Sequence, residues 1–122
     1  MDKLTGKVAV VTGGASGIGK AVAEVLSETD ISGLTIVDID SKAAEAVALD
    51  LSRRFDIDAI GVAVDVAVGA QVASMIERTM KHFQRLDILV NNAGIAPVVR
   101  WSEVTEANWR HVLDINLNGA FL

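Results

Sequence analysis

The period of the apolar residues changes repeatedly along this chain, and this alternation limits its possible folds more than any other feature. Four short runs rich in valine and isoleucine have the pattern of buried strands, at 7–12, 34–37, 60–64 and 86–90. A helical pattern follows each run: from Gly17, over Ser41–Phe55, over 72–83, and after Thr105, a predicted N-cap. The order βαβαβαβα predicts an α/β fold with a doubly wound parallel sheet, right-handed crossovers and helices on both faces.

Apolar residues at helical spacing are expected to form the core of this fold. The first helix is predicted to bury one apolar face, made of Ile18, Val22, Val25 and Leu26. The methionines and aromatic residues of the helices also fall at core spacing, so we interpret them as packing residues. His82 and His111 lie at surface positions and are too far apart for a zinc cluster, so no metal centre is predicted.

Composition narrows the class of protein further. Hydrophobic residues make up 51% of the 122 residues and the mean hydropathy is +0.40, which is typical of a sheet covered on both faces. No stretch approaches the roughly 18 apolar residues of a membrane span, and residues 1–7 lack a signal-peptide pattern. The chain has no cysteine, and its net charge of −5 without a basic stripe argues against nucleic acid as a partner. We expect one cytoplasmic domain over residues 1–122.

A glycine-rich segment, TGGASGIG at 12–19, joins the first predicted strand to the first predicted helix. Glycine permits positive φ and lets backbone N–H groups approach a ligand closely, and a helix N-terminus presents unpaired donors to a diphosphate. The spacing of Gly13, Gly17 and Gly19 departs from G-x-G-x-x-G because the first gap is longer. The position between a buried strand and an amphipathic helix favours a nucleotide site over a turn that serves only the topology.

Two carboxylates follow the next two predicted strands. Asp38 lies nineteen positions beyond Gly19, where a dinucleotide-binding fold places the carboxylate that holds the adenosine ribose. Asp65 ends the third strand on the same edge of the sheet and could accept a hydrogen bond from an adenine amino group; a solvated turn residue is the alternative. Ser16 and Ile39, which lie in the loop and just after Asp38, place no arginine or lysine where a 2′-phosphate would bind.

Two asparagine motifs complete the pattern. Asn91-Asn92-Ala93-Gly94 follows the fourth strand, and Asn116 lies within Ile115-Asn116-Leu117-Asn118-Gly119. With Thr12-Gly13-x-x-x-Gly17-x-Gly19, Asp38 and Asp65-Val66, these motifs follow one another over nearly the whole chain in a recognisable order and spacing. On these residues the chain resembles the N-terminal half of a short-chain dehydrogenase/reductase. The resemblance implies the first half of a Rossmann-type fold and hydride transfer between NAD(H) and a small-molecule alcohol or carbonyl.

The resemblance also implies which groups would contact the cofactor. Backbone groups of Ser16, Gly17 and Ile18 would contact the diphosphate. The side chain of Asp65 and the main chain of Val66 would hold the adenine edge.

At the other end, Asn92, Ala93 and Gly94 would lie along the cofactor between its ribose and nicotinamide, and Asn91 would stabilise the sheet. Asn116 is implied as the asparagine of the family's Asn-Ser-Tyr-Lys catalytic tetrad, whose backbone carbonyl holds a proton-relay water. Its place on the apolar stripe of the last helix predicts a buried amide that must find partners, and a satisfied core amide without catalytic duty is the alternative.

The chain departs from the family pattern in one respect. It contains no tyrosine, so the family's Tyr-x-x-x-Lys acid–base pair is absent, and the substrate-orienting serine would lie beyond residue 122. We therefore expect a cofactor-binding half that ends within a helix and is inactive alone.

Two other functions compete with that of an oxidoreductase. A non-catalytic dinucleotide-binding or redox-sensing module would share the glycine loop and Asp38. An S-adenosylmethionine methyltransferase is disfavoured by Thr12-Gly13 and by Asn91-Asn92-Ala93-Gly94. The last helix is apolar over a face wider than one core stripe needs, which predicts a homo-oligomer, a dimer or a tetramer.

Overall fold

The structure is a computed structural model that describes residues 3–122; Met1 and Asp2, at the start of the segment without a signal pattern, lie outside the described residues. Strands and helices alternate up to β4, which is followed by a short 3₁₀ turn and then by a helical stretch whose middle five residues are π-helical and are called the π turn. The elements are β1 Val8–Thr12, α1 Gly17–Ser27, β2 Gly33–Asp38, α2 Ser41–Phe55, β3 Asp58–Ala63, α3 Gly69–Phe83, β4 Ile88–Val90, a 3₁₀ turn Trp101–Glu103, α4 Glu106–Leu113, a π turn Asp114–Asn118 and α5 Gly119–Phe121.

The four strands form one parallel sheet in the order β3-β2-β1-β4. The chain builds outward from β1 through β2 to β3 and then crosses back to place β4 on the other side of β1. This arrangement confirms the predicted α/β class and the first half of a Rossmann-type sheet. The reversal between β1 and β4 creates a switch point at the carboxyl edge of the strands, where ligands bind in folds of this kind.

Alternating residues of the strands form separate cores on the two faces of the sheet. Ala9, Val11, Leu34 and Ile36 pack under α1 and α2. On the opposite face, a cluster packs against α3 and against Ile115 of the π turn, and it contains Val10, Val37, Val62, Val64, Val66 and Met75. Both faces are therefore covered, as the high apolar content predicts.

The predicted bounds were right for α2 and for the Thr105 cap, whose hydroxyl accepts from the Asn108 N–H at 3.1 Å. They were wrong for β3, which begins at Asp58 and ends at Ala63 because it pairs with β2 over the whole of Gly33–Asp38. Parallel pairing thus begins two residues before the apolar run on which the prediction relied, and it ends one residue before the end of that run.

The predicted start of β4 at residue 86 was also wrong, because the side chain of Asp87 replaces a strand carbonyl. Its Oδ2 accepts from the Val8 N–H at 2.9 Å, while Arg85 donates to both carboxylate oxygens at 2.7 Å. The Arg85 bonds, followed by the Val8 amide, lower the pKa of Asp87 from 3.8 to about 2. Regular pairing begins one residue later, at Ile88.

The face of α1 that meets the sheet differs from the prediction. Gly19, Ala23 and Ser27 are buried, whereas Ile18 is 77% exposed and Val25 is also exposed. Small side chains at every fourth position let α1 approach the sheet more closely than its larger apolar residues would allow. The amphipathic pattern identified the helix, and Leu26 packs against the core as predicted, but the prediction was wrong for Ile18 and Val25.

The prediction that helical aromatic and methionine residues form the core was wrong for the C-terminal segment and for Met80 of α3, which is exposed. Met75 is buried and Phe83 is half-buried, but Trp101 is 85% exposed and Phe121 is 89% exposed. His82 and His111 are both exposed, in accord with the prediction. Among the helices of residues 3–122, none is long and apolar enough to cross a membrane.

A buried hydroxyl pair ties β2 to α3. The Oγ1 atoms of Thr35 and Thr79 lie 3.0 Å apart, and both residues are fully buried. Each hydroxyl is the other's partner in an apolar interior, so removing one leaves the second unpaired.

We predict a non-additive double-mutant cycle for this pair. Thr35→Val and Thr79→Val should each lower the free energy of unfolding by about 1–3 kcal/mol, because each orphans a buried hydroxyl. The double variant should be close to the wild type, since both polar groups are then gone. Urea unfolding measures all four proteins, and additive costs would contradict the assignment.

Candidate cofactor crevice

A crevice of about 410 Å³ lies at the carboxyl edge of the sheet, across the β1–β4 switch point. It brings together every residue predicted to contact a cofactor except Gly19. Its lining consists of Gly13, Ser16, Gly17, Ile18, Val37, Asp38, Ile39, Val64, Asp65, Val66, Asn92, Ala93, Gly94, Ile95 and Ile115.

The glycine-rich loop closes tightly over the end of β1. Gly13 and Gly17 have φ values of +63° and +53°, which favour glycine. A Cβ on Gly13 would lie 2.9 Å from Asn92 Nδ2, and one on Gly19 would collide with the Gly13 carbonyl. Gly19 therefore does not line the crevice but lets α1 start directly against the loop.

The N-terminus of α1 lies at this crevice, since Ser16, Gly17 and Ile18 line it. The Ser16 carbonyl accepts the Lys20 N–H at 3.2 Å, so the N–H groups of the three preceding residues have no partner within the helix. The Ser16 side chain makes no capping bond, unlike Asp40 at α2 and Thr105 at α4. Unpaired amides and the positive end of the helix dipole make this a site suited to an anion.

The Asp38 carboxylate is fixed between the loop and the start of α2. Its Oδ2 accepts from the Ala15 N–H and its Oδ1 accepts from the Asp40 N–H, both at 3.2 Å. The Gly14 N–H also donates to the Val37 carbonyl at 3.0 Å. The carboxylate that follows β2 and the loop that follows β1 thus form one connected unit.

Asp65 and Val66 form the wall of the crevice beyond β3. Asp65 Oδ1 accepts from the Ala67 N–H at 2.9 Å, and the Asp65 N–H donates to Gln71 Oε1 at 2.7 Å. Val66 is only 8% exposed and belongs to the core cluster that faces α3. The turn is therefore held both by polar bonds and by packing.

The Thr12 hydroxyl joins the end of β1 to the segment after β4. It donates to the Val90 carbonyl at 3.3 Å and accepts from the N–H groups of Asn92 and Ala93, both at 3.0 Å. Thr12 itself is buried. Three bonds to one hydroxyl set the position of the segment that forms the other wall of the crevice.

The side chain of Asn92 completes this junction. Its Nδ2 donates to the carbonyls of Thr12 and Gly13, at 3.1 and 3.2 Å. The sheet-stabilising role expected for Asn91 therefore falls to Asn92, because the side chain of Asn92 is the one that turns toward β1. Asn91 Nδ2 instead donates to the Ala120 carbonyl at 3.4 Å.

The expectation that Asn116 is buried was wrong, since the residue is exposed, but both its amide oxygen and its amide nitrogen are hydrogen-bonded. Asn116 Oδ1 accepts from the Ile95 N–H and its Nδ2 donates to the Ile95 carbonyl, both at 2.8 Å. Asn116 lies in the π turn, so its side chain reaches the loop after Gly94 rather than the interior of the sheet. This side chain holds the backbone at the β4 end of the crevice.

Sequence reasoning missed several residues of this site. Val37, Val64 and Ile95 line the crevice beside Asp38, Asp65 and Gly94, and Ile115 lines it from within the second asparagine motif, but no cofactor contact was predicted for any of them. Thr12 was recognised as part of the glycine motif but not as its anchor; a hydroxyl-bearing residue at the end of an otherwise aliphatic strand was the available signal. Within residues 3–122, no three His, Asp or Glu side chains converge as metal ligands.

Comparison with known protein families gives a match over almost the whole chain. The family model described as short chain dehydrogenase matches residues 7–122. The chain is 38% identical, over all of its 122 residues, to a 3-oxoacyl-[acyl-carrier-protein] reductase of Synechocystis and to an uncharacterised oxidoreductase of Methylorubrum extorquens, and it covers 49% of each. It is 41% identical over 120 residues, 98% of the chain, to a D-threitol dehydrogenase of Mycolicibacterium smegmatis, of which it covers 45%. The chain therefore spans about half the length of these relatives.

We predict that the Thr12 hydroxyl is required for the geometry of the crevice. Thr12→Val keeps the shape of the side chain but leaves the Ala93 N–H without its acceptor, which should cost about 1–3 kcal/mol of unfolding free energy. Hydrogen exchange at the amides of Asn92 and Ala93 should accelerate in the same variant.

Thr12→Ser provides the matched control, because it loses the methyl group and retains the hydroxyl. Its amide exchange at these two positions should stay near that of the wild type. Equal exchange in the wild type, the Val variant and the Ser variant would contradict the anchoring role.

Proposed function

The chain belongs to the short chain dehydrogenase family, and from that premise we propose that it is the cofactor-binding part of an oxidoreductase that uses NAD(H) to interconvert an alcohol and a carbonyl. The observation that carries the proposal is the crevice itself, where an uncapped helix N-terminus and the Asp38 carboxylate face one another. The substrate class is a small alcohol or carbonyl compound. Bound NAD(H) would supply the hydride donor or acceptor that protein side chains lack.

The order of the donor and acceptor groups along the crevice suits a dinucleotide bound in one orientation. The amides at Ser16, Gly17 and Ile18 suit a diphosphate, and the Asp38 carboxylate suits two ribose hydroxyls. Both groups lie close together because the Ala15 N–H bridges them.

The two ends of the crevice are assigned to the two ends of the same cofactor. The wall at Asp65 and Val66, beyond β3, is assigned to the adenine edge. The segment Asn92, Ala93 and Gly94, after β4, is assigned to the nicotinamide end. Because Asn92 uses its amide nitrogen on Thr12 and Gly13, it contributes here chiefly by holding the loop in place.

Asn116 is proposed as a positioning residue of the active site. Its two bonds to Ile95 fix the chain directly after Gly94, where the reacting end of the cofactor would lie. The engaged side chain leaves the Asn116 main chain as the part that could serve a proton relay, in line with the role that the family resemblance implies.

The apolar surface of the C-terminal segment supports a proposal about assembly. Trp109, Leu117 and Phe121 are all exposed on α4, the π turn and α5. We propose that a second copy of the protein covers this face in a homo-oligomer. From the composition of the chain, we also propose a cytoplasmic location.

We predict that the chain binds NADH more tightly than NADPH, by about tenfold or more. Asp38 would accept from both ribose hydroxyls, whereas a 2′-phosphate would bring like charges together. Ser16 and Ile39 at the neighbouring positions supply no cation to offset this repulsion. Calorimetric titration with both cofactors measures the ratio.

Asp38→Ala should bring the affinities for NADH and NADPH closer together, because it weakens NADH binding and relieves the repulsion of NADPH. Asp50→Ala is the matched control, because Asp50 is an exposed carboxylate of α2 outside the crevice lining. Tighter binding of NADPH by the wild type, or an equal effect of the two substitutions, would refute the assignment of Asp38.

A further inference from the structure

The segment from the π turn to α5 touches the wall of the crevice at opposite ends. Asn116 bonds to Ile95 at the β4 end. Three residues later, Gly119 is buried against Val66, which lies at the β3 end. Ile115, in the same segment, also lines the crevice.

The contact between Gly119 and Val66 leaves no room for a side chain. A Cβ on Gly119 would lie 2.8 Å from Val66 Cγ2, 3.3 Å from Val66 Cβ and 3.4 Å from the Val66 carbonyl oxygen. The first of these distances is shorter than packed carbon atoms adopt, so an added methyl group must displace Val66.

Val66 cannot yield by turning its side chain. Valine has a stiff χ1 because it branches at Cβ, and this valine packs in the cluster with Val64 and Met75. Displacement therefore passes to the backbone of Asp65 and Val66, which forms the crevice wall.

Helix propensity alone would predict that alanine at position 119 is more favourable than glycine. Alanine is favoured over glycine within a helix by about 1 kcal/mol, and Gly119 has ordinary helical angles of −59° and −37°. The backbone does not require glycine here, so the close approach to Val66 is the physical reason for it.

We propose that Gly119 is a positioning residue for the adenine end of the cofactor crevice, acting through Val66 and touching no ligand itself. The inference rests on the proposed binding of NAD(H). The C-terminal segment would then act separately at the two ends of the crevice. Gly119 sets the wall at Asp65 and Val66, and Asn116 sets the loop at Ile95.

The test compares Gly119→Ala with the wild-type chain, using NADH, ADP-ribose and nicotinamide mononucleotide as probes. Binding of NADH and ADP-ribose should weaken by about tenfold, which corresponds to about 1.4 kcal/mol of binding free energy. Binding of nicotinamide mononucleotide, which lacks the adenosine, should not change.

Gly69→Ala is the matched control, since it adds a methyl group to the first residue of α3 at an ordinary 3.8 Å from Leu122 Cδ2. It should leave all three affinities unchanged. Replacing Val66 as well, in Gly119→Ala/Val66→Ala, removes the colliding Cγ2 and should restore part of the affinity for ADP-ribose. A general folding defect would instead weaken the binding of all three probes.

Backbone amide NMR shifts give a readout that needs no ligand. Gly119→Ala should move the amide signals of residues 65–67, and Gly69→Ala should not produce that pattern. Unmoved signals, or an equal loss of affinity for nicotinamide mononucleotide, would overturn the inference while leaving the proposed function intact. A wild-type chain that binds neither NADH nor ADP-ribose would overturn the proposed function, and with it the cofactor role assigned to Gly119.

Discussion

The crevice depends on the contact between the glycine-rich loop and the segment that follows β4. The Asn92 amide fills the space that a Cβ on Gly13 or Gly19 would need, and it donates to the carbonyls of Thr12 and Gly13. The Thr12 hydroxyl adds bonds to the amides of Asn92 and Ala93. Hydrogen bonds and the absence of side chains therefore act together to bring the ends of β1 and β4 into contact. Larger residues at these positions would separate α1 from the end of the sheet.

This junction gives the crevice its electrical asymmetry. The uncapped first turn of α1 lies at one side of the cleft, while Asp38 and Asp65 occupy the side beyond β2 and β3. A ligand with anionic phosphates and hydroxyl-bearing sugars would meet donors and acceptors in that order. The Ala15 N–H bond to Asp38 links the two regions, so the orientation of a bound dinucleotide would follow from main-chain geometry more than from flexible side chains.

Much of this arrangement could be predicted from local sequence, and the rest depends on packing across the molecule. The bounds of α2 and the Thr105 cap follow from a few neighbouring residues, and the edge position of Asp38 follows from the end of β2. By contrast, the burial of Gly19 in place of Ile18 depends on how closely α1 approaches the sheet. The engagement of Asn116 by Ile95 and of Gly119 by Val66 joins residues far apart in sequence across the π turn. No periodic pattern records such contacts, which is why the amide of Asn116 was wrongly expected in the core.

The central claim is that this crevice is a cofactor site, and NADH titration of the ¹⁵N-labelled chain tests it most directly. Saturable amide shifts should be largest at residues 13–19, 38–39, 65–66 and 92–94, which line the crevice or close its loop. The opposite edge of the sheet, around Asp58 and Asp87, should change little. Absence of saturable shifts, or shifts centred on that opposite edge, would contradict the account.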